Sequence, residues 1–340
     1  MKKNIQIALL AALIYIAGVF SAVLYNNNDK TNANQLDSNT TVTVETLPII
    51  HDFPLPETVT LCGEKIPLEI PWVWEMLDRE FNITVWDRAQ VFMYLKRAGR
   101  YFPYIEKKLL DKGMPDDLKY LAVAESALLT YSRSKKGAKG PWQFMTLAAR
   151  SNGLRRDRVV DERLNFERAT DAALKNLKRL EEKFGSWALA MAAYNGGETR
   201  LRKAIKDQNK TYYYRLNLPL ETERYIFRIA AIKIILENPK RYGYHLSSER
   251  AYEPMAYDAV EATFKAPVNI VVIAEAIGTD FKTIKELNPQ FLKDFIPAGR
   301  HSLKLPPGVG TKLTAFLKQI PAKVSRPVII VSDRIEVEAH

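Results

Sequence analysis

The chain contains a single cysteine, Cys62, among its 340 residues. No intrachain disulfide is open to it, even in an oxidising compartment. Histidine is almost as scarce. The four residues His51, His245, His301 and His340 are scattered, with no pair at metal-ligand spacing, so no metal site is expected. No Gly-x-Ser-x-Gly turn is present to present a serine nucleophile. Gly308-Val309-Gly310-Thr311-Lys312 has its glycines and lysine in the wrong order for a phosphate loop and lacks the strand–helix setting. These absences argue against metal-assisted hydrolysis, serine hydrolysis and nucleotide chemistry, and no cofactor is expected. Acidic side chains are in deficit, 39 against 50 Lys and Arg, for a net charge of +11. Such a balance suits an anionic polymer, an anionic lipid surface or nucleic acid without choosing among them.

One long apolar run is present, from Ile5 to Tyr25, interrupted only by Gln6, Gly18 and Ser21. At about 1.5 Å per helical residue such a run reaches about 30 Å, the thickness of a bilayer core. Lys2 and Lys3 precede it and no basic cluster follows, which favours a cytoplasmic N-terminus and an exported body. Residues 1–25 are therefore read as an N-terminal hydrophobic helix, either a signal-anchor or a signal peptide cleaved near Ser21 and Ala22. Cys62 lies too far beyond the run for a lipoprotein. Export argues against nucleic acid as a partner despite the charge.

Residues 26–70 read as a polar tether followed by an irregular, proline-punctuated stretch laid over a domain surface. Residues 71–240 carry helical periodicity almost throughout, residues 241–258 read as a linker and residues 321–340 as a tail. Between them, residues 259–320 suggest a small α+β module in the order strand (Val260–Phe264), helix (Val271–Ile277), helix (Phe281–Leu287), strand (Ser302–Leu305). The fold class expected is mainly α, followed by this βααβ unit.

Four stretches of the helical body can carry chemistry. In Pro115–Leu129, read as one helix, Glu125 falls on the apolar stripe of Leu118, Leu121 and Leu128. Burial there would raise its pKa, as a general acid near neutral pH requires; a Glu paired with an arginine would fit equally well. Ser134 and Gly137-Ala138-Lys139-Gly140-Pro141-Trp142-Gln143-Phe144-Met145 follow. Gly137 and Gly140 permit a tight turn or positive φ, and Gln143 is both donor and acceptor. Trp142 and Phe144 offer flat faces to a sugar, or fill a core. The all-round apolar run Ala188–Ala193 implies a buried helix delivering Tyr194 and Asn195 before Gly196-Gly197 stops it. Last, Glu221-Thr222 with Tyr225 opens a helix after Pro219.

Taken in order, Glu125-Ser126, Ser134, Gly137-Ala138-x-Gly140, Gln143-x-Met145, Ala193-Tyr194-Asn195 and Glu221-Thr222-x-x-Tyr225 resemble the lysozyme-like domain of the soluble-type lytic transglycosylase family. The likeness is greatest to its membrane-bound lytic murein transglycosylase D group, which Gly113-Met114-Pro115, Asp161-Glu162-Arg163 and Ala169-Thr170 also match. Pro141 and Thr146 depart from the pattern, standing where a larger aliphatic residue and a proline are usual. The resemblance implies a periplasmic enzyme acting on peptidoglycan glycan strands, most simply as a monomer held at the inner membrane by residues 5–25 or released on cleavage. It implies Glu125 as acid/base, with Ser134, Gln143, Met145, Tyr194, Asn195 and Tyr225 around the sugar and Gly137, Gly140, Gly196 and Glu221 shaping the site. Asp161, Glu162 and Glu223 are expected to be surface or helix-packing charges. A same-fold muramidase and a non-catalytic wall-binding protein are the competing readings. Residues 259–320 resemble a LysM repeat, a glycan-binding unit in its families, through Asn288-Pro289 and Leu303-Lys304-Leu305-Pro306. Its usual Gly-Asp-Thr-Leu opening is replaced by Lys265-Ala266-Pro267-Val268-Asn269.

Overall fold

The computed structural model describes residues 52–319. The expected N-terminal apolar helix, the first part of the tether and the C-terminal tail lie outside the described residues. Among those described, no helix is long and apolar enough to cross a membrane.

The stretch expected to be irregular instead forms a hairpin, β1 (Thr60–Leu61) and β2 (Glu64–Lys65). Its turn is Cys62-Gly63, both at positive φ, the geometry that matches strand twist in a two-residue hairpin. Val59, Leu61, Cys62 and Ile66 enter the main core, which corrects the expectation of a segment merely laid over the surface. Glu64 accepts hydrogen bonds from the Trp187 and Ala188 amides, so a carboxylate sits on the N-terminus of a buried helix, where the helix dipole favours it.

Among the described residues, eight helices build the main body. Helix α1 (Pro71–Trp86) opens with proline at its first turn and buries Val73, Leu77, Phe81 and Val85 at four-residue spacing. Asp87 caps α2 (Arg88–Asp111). The segment read as one helix over 115–129 is broken: a 3-10 turn at Asp116–Leu118 leads into the short α3 (Lys119–Ser126). Ala127 and Leu128 then take φ of 55° and 62°, two adjacent non-glycine residues in the left-handed region, which ends the helix. After α4 (Thr146–Ser151) come α5 (Phe166–Phe184), capped by Asn165 and stopped by left-handed Gly185, and α6 (Trp187–Gly196), capped by Ser186. Helix α7 (Glu198–Gln208) and α8 (Leu220–Glu237) complete the body. Ala188, Ala190, Ala192 and Ala193 let α6 lie against both α5 and α8 at close range. At Gly196 a Cβ would approach Thr222 Oγ1 to 2.8 Å, so only glycine lets the end of α6 meet the start of α8.

The C-terminal module follows the expected order with longer strands. β3 (Asp258–Phe264) pairs antiparallel with β6 (Gly299–Leu305), and β4 (Val268–Asn269) pairs with β5 (Phe295–Ile296). Helices α9 (Ile270–Ile277) and α10 (Phe281–Leu287) lie between them in sequence, capped by Asn269 and Asp280. A further helix, α11 (Gly310–Gln319), was not expected. Ile270, Ile273, Ile277, Ile284, Phe291, Leu303 and Leu313 form a second core, separate from the first, that also takes in Val160 of the main body.

Candidate active site

Glu125 occupies the last turn of α3, partly buried at the edge of a cleft of about 520 Å3. Burial pushes its carboxyl from the ordinary 4.5 up to about 7. The hydrogen bond from Tyr225 Oη to Oε1 (2.5 Å) and the charge of Arg228 oppose that rise, while Glu221 adds to it. A group half-protonated near neutrality can both give and take a proton. The adjoining left-handed pair Ala127-Leu128 is backbone strain of the kind concentrated at functional sites. It is held in part by Arg97, which donates to the Ala127 carbonyl at 3.1 Å.

Ser134, Gln143, Met145, Tyr194, Asn195, Gly196 and Glu221 all line the same cleft. Met145 is 47% exposed, an apolar side chain held at the surface. Gln143 has φ of 47°, and its amide nitrogen donates to the Gly140 carbonyl at 2.8 Å, which leaves its side-chain oxygen as the outward-facing acceptor. Ser134 Oγ accepts from the Ala138 amide and so closes the turn containing Gly137. Gly140 serves packing rather than ligand approach: a Cβ there would lie 1.8 Å from the Arg163 carbonyl oxygen. Tyr194 Oη donates to the Trp142 carbonyl at 2.7 Å, and Asn195 Oδ1 accepts from Thr222. Tyr225 is only 1% exposed, and its hydroxyl donates to Glu125. Trp142 and Phe144 prove to be core residues. Trp142 is fully buried with its indole N–H on Thr170 Oγ1, and Phe144 packs edge-on against Tyr194.

A second cavity of about 1390 Å3 continues from the first past Met145, Asn176 and Tyr194 along α5 and the start of α7. The two share Met145, Asn176 and Tyr194 and so make one continuous groove. Its wall near Glu125 carries Lys135, Lys136 and Arg200, which suits an anionic chain. Among the described residues no three His, Cys, Asp or Glu side chains converge as metal ligands do.

Residues 103–217 match the transglycosylase SLT domain family. Residues 260–322 match the LysM-like domain described for lytic transglycosylase MltD. The membrane-bound lytic murein transglycosylase D of Escherichia coli K12 is 34% identical over 197 residues, which make up 56% of this chain and 43% of that protein. The peptidoglycan transglycosylase gp16 of phage T7 is 43% identical over 88 residues, 25% of this chain and 7% of that protein. The chain thus spans less than half the length of either. The 70 kDa soluble lytic transglycosylase of Escherichia coli aligns over 46% of this chain and 27% of its own, at TM-score 0.35 and 17% identity.

Two charged features around the cleft escaped the sequence. Asp161 is not a surface charge: with Arg163 it forms a fully buried bidentate pair, both bonds 2.8 Å. Burial alone would raise the Asp161 carboxyl, but the Arg163 guanidinium overcomes that and holds it below its ordinary value. Arg163 also donates to the carbonyls of Gly137 and Phe144, at 3.1 and 3.0 Å. Glu80, buried on α1, gathers Arg79, Arg224 and Arg228 and so fixes Arg228 within electrostatic reach of Glu125. The four-residue spacing of Arg224 and Arg228 on a helix with a buried apolar face was the available signal. Glu221 was already among the expected site residues. It opens onto the cleft, 3.4 Å from Lys136.

Proposed function

We propose that this chain is a lytic transglycosylase that cleaves the β-1,4 bond between N-acetylmuramic acid and N-acetylglucosamine in peptidoglycan. Glu125 is its sole acid/base. The observation that carries this reading is a carboxyl raised to about 7 and braced by Tyr225, at the edge of a continuous groove. Protonated Glu125 gives its proton to the glycosidic oxygen as the bond breaks, while the muramic N-acetyl group stabilises the cation. The carboxylate so formed takes the proton of that sugar's C6 hydroxyl, whose oxygen closes a 1,6-anhydro ring. No water is activated, so no second carboxylate is needed. The intramolecular attack has the advantage of a high effective molarity. Ser134, Gln143, Met145, Tyr194 and Asn195 orient the sugars, and Tyr225 orients Glu125. Residues 71–240 are the catalytic unit and residues 259–320 the LysM-like module, in a periplasmic protein held to the inner membrane by residues 5–25 or released from it.

A muramidase reading draws on one specific observation: Glu221 shares the cleft and would be placed to hold a water. Its ion pair with Lys136 and its wide exposure favour a surface role. Mass spectrometry of the products from purified peptidoglycan separates the readings. Anhydro-muropeptides from the wild type but not from Glu125→Gln are the expected result. Reducing-end products would replace the transglycosylase with a hydrolase. Wall binding without products would leave a binding protein.

A further inference from the structure

We infer that the LysM-like module is a positioning element of the cleavage site, acting through a buried relay of hydrogen bonds that ends on the loop carrying Gln143. The relay begins at the seam between the two cores. Phe291 of the module bridges antiparallel to Val160 of the SLT domain, whose side chain sits inside the module's core. The Leu292 amide donates to the Val159 carbonyl, and the Asp161 amide donates to the Gln290 carbonyl, each at 2.8 Å. The module therefore joins a segment of the catalytic body through a two-bond backbone bridge.

That segment ends in Asp161. Its carboxylate grips Arg163 by two bonds, and Arg163 passes the constraint on to the carbonyls of Gly137 and Phe144. Those two carbonyls flank the turn that carries Gln143. Lys139 and Phe144 exchange backbone bonds across the turn, and Gly140 rests directly on the Arg163 backbone. The Asp161 and Arg163 side chains at the centre of the relay are 0% and 1% exposed, so water does not substitute for their bonds. A buried guanidinium with its fork on a carboxylate and its remaining nitrogen on two carbonyls has little freedom to reorient. Displacing residues 159–161 thus moves Asp161, then Arg163, then the turn. The seam is further tied by Tyr257 and Lys304, which both bond to Glu167 of α5. A single backbone bridge between two domains would ordinarily be free to slide. Here the pairing stands in register with an ion pair leading to the cleft, which a simple glycan tether would not need.

Leu292 lies outside the cleft, and Leu292→Pro removes the amide donor to Val159 while fixing the local backbone, whereas Leu292→Ala keeps the donor. In the full chain, hydrogen exchange of residues 137–146 is expected to quicken about ten-fold in the proline variant and to stay unchanged in the alanine variant, the effect of one buried hydrogen bond. On soluble glycan fragments kcat should fall about ten-fold in the proline variant, with KM and sedimentation with cell walls within about two-fold. Unaltered exchange at 137–146 would overturn the inference, as would a defect confined to KM and wall binding, which marks a tether. If the proline variant loosens α1 and α8 as well, Val160→Ala carries the same two readings. The kcat reading rests on the transglycosylase function proposed above, but the exchange reading does not, so a wild type without products leaves the relay still decided.

Discussion

The two cores of this chain use buried polarity differently. In the main body, ionisable groups taken out of water reach across helices to one another: Glu125 to Tyr225 over a sequence separation of 100, Glu80 to Arg224 over 144. In the module, the most deeply buried polar residue is Asn288, and it stays local. It donates to the carbonyls of Ile284 and Lys304 and accepts from the Lys304 amide, stapling the end of α10 to β6. The first pattern leaves ionisable groups desolvated, with shifted proton affinities. The second buries a neutral amide and supplies only shape. The acid/base role proposed for Glu125 arises in the first pattern.

The largest test of this contrast is Glu125→Gln, expected to lower product release by about 10²- to 10⁴-fold, the range for removing a general acid. The fold should survive. Because folding raises the Glu125 pKa above its ordinary value, its ionisation destabilises the native state as pH rises from about 4.5 to about 7. The Glu125→Gln variant lacks that penalty, so thermal melting at pH 8 should show it at least as stable as the wild type. Next comes Asp161→Asn, which leaves Arg163 buried without its partner and should cost about 3–5 kcal/mol in denaturant unfolding. Asn288→Ala, by contrast, removes a neutral staple and should cost about 1–3 kcal/mol while leaving the pH profile of cleavage untouched. A displaced pH profile would mean the module's polarity does reach the acid/base.

Smaller effects sharpen the electrostatics. The wild-type rate should fall as pH rises through about 7, because the acid must be protonated to act. Tyr225→Phe removes a bond that favours ionised Glu125, so this descending limb should move to higher pH, with about a ten-fold loss of rate at the optimum. Glu221→Gln should change the rate by about two-fold at most and leave anhydro products, as befits an exposed ion pair. Reducing-end products lost in that variant alone would favour the muramidase.

Much of this was legible from residues. The stripe that placed Glu125 among leucines pointed to burial, and the alanine run with its terminal Asn195-Gly196 pointed to the buried α6. Phe281–Leu287 was readable from its apolar period alone, and the structure adds the Asp280 cap. The hairpin at 60–65 was not, since two-residue strands carry too little alternation to stand out among prolines. The 115–129 segment was misread because helical periodicity continues through Ala127 and Leu128 even though the backbone turns there. No residue type announces two left-handed non-glycine positions. Trp142 and Phe144 had two open readings, and only the packing around Thr170 and Tyr194 chose the core.

Sequence by itself determined the helical class, the two modules and a lone carboxylate set among apolar residues, because periodicity and composition act over neighbouring positions. Tertiary structure decided what that carboxylate faces. Tyr225 and Arg228 come to Glu125 from a distant helix, and the proton affinity of Glu125 depends on how much water the packed elements around it exclude. Exclusion of water is a property of packing in three dimensions and has no period along the chain.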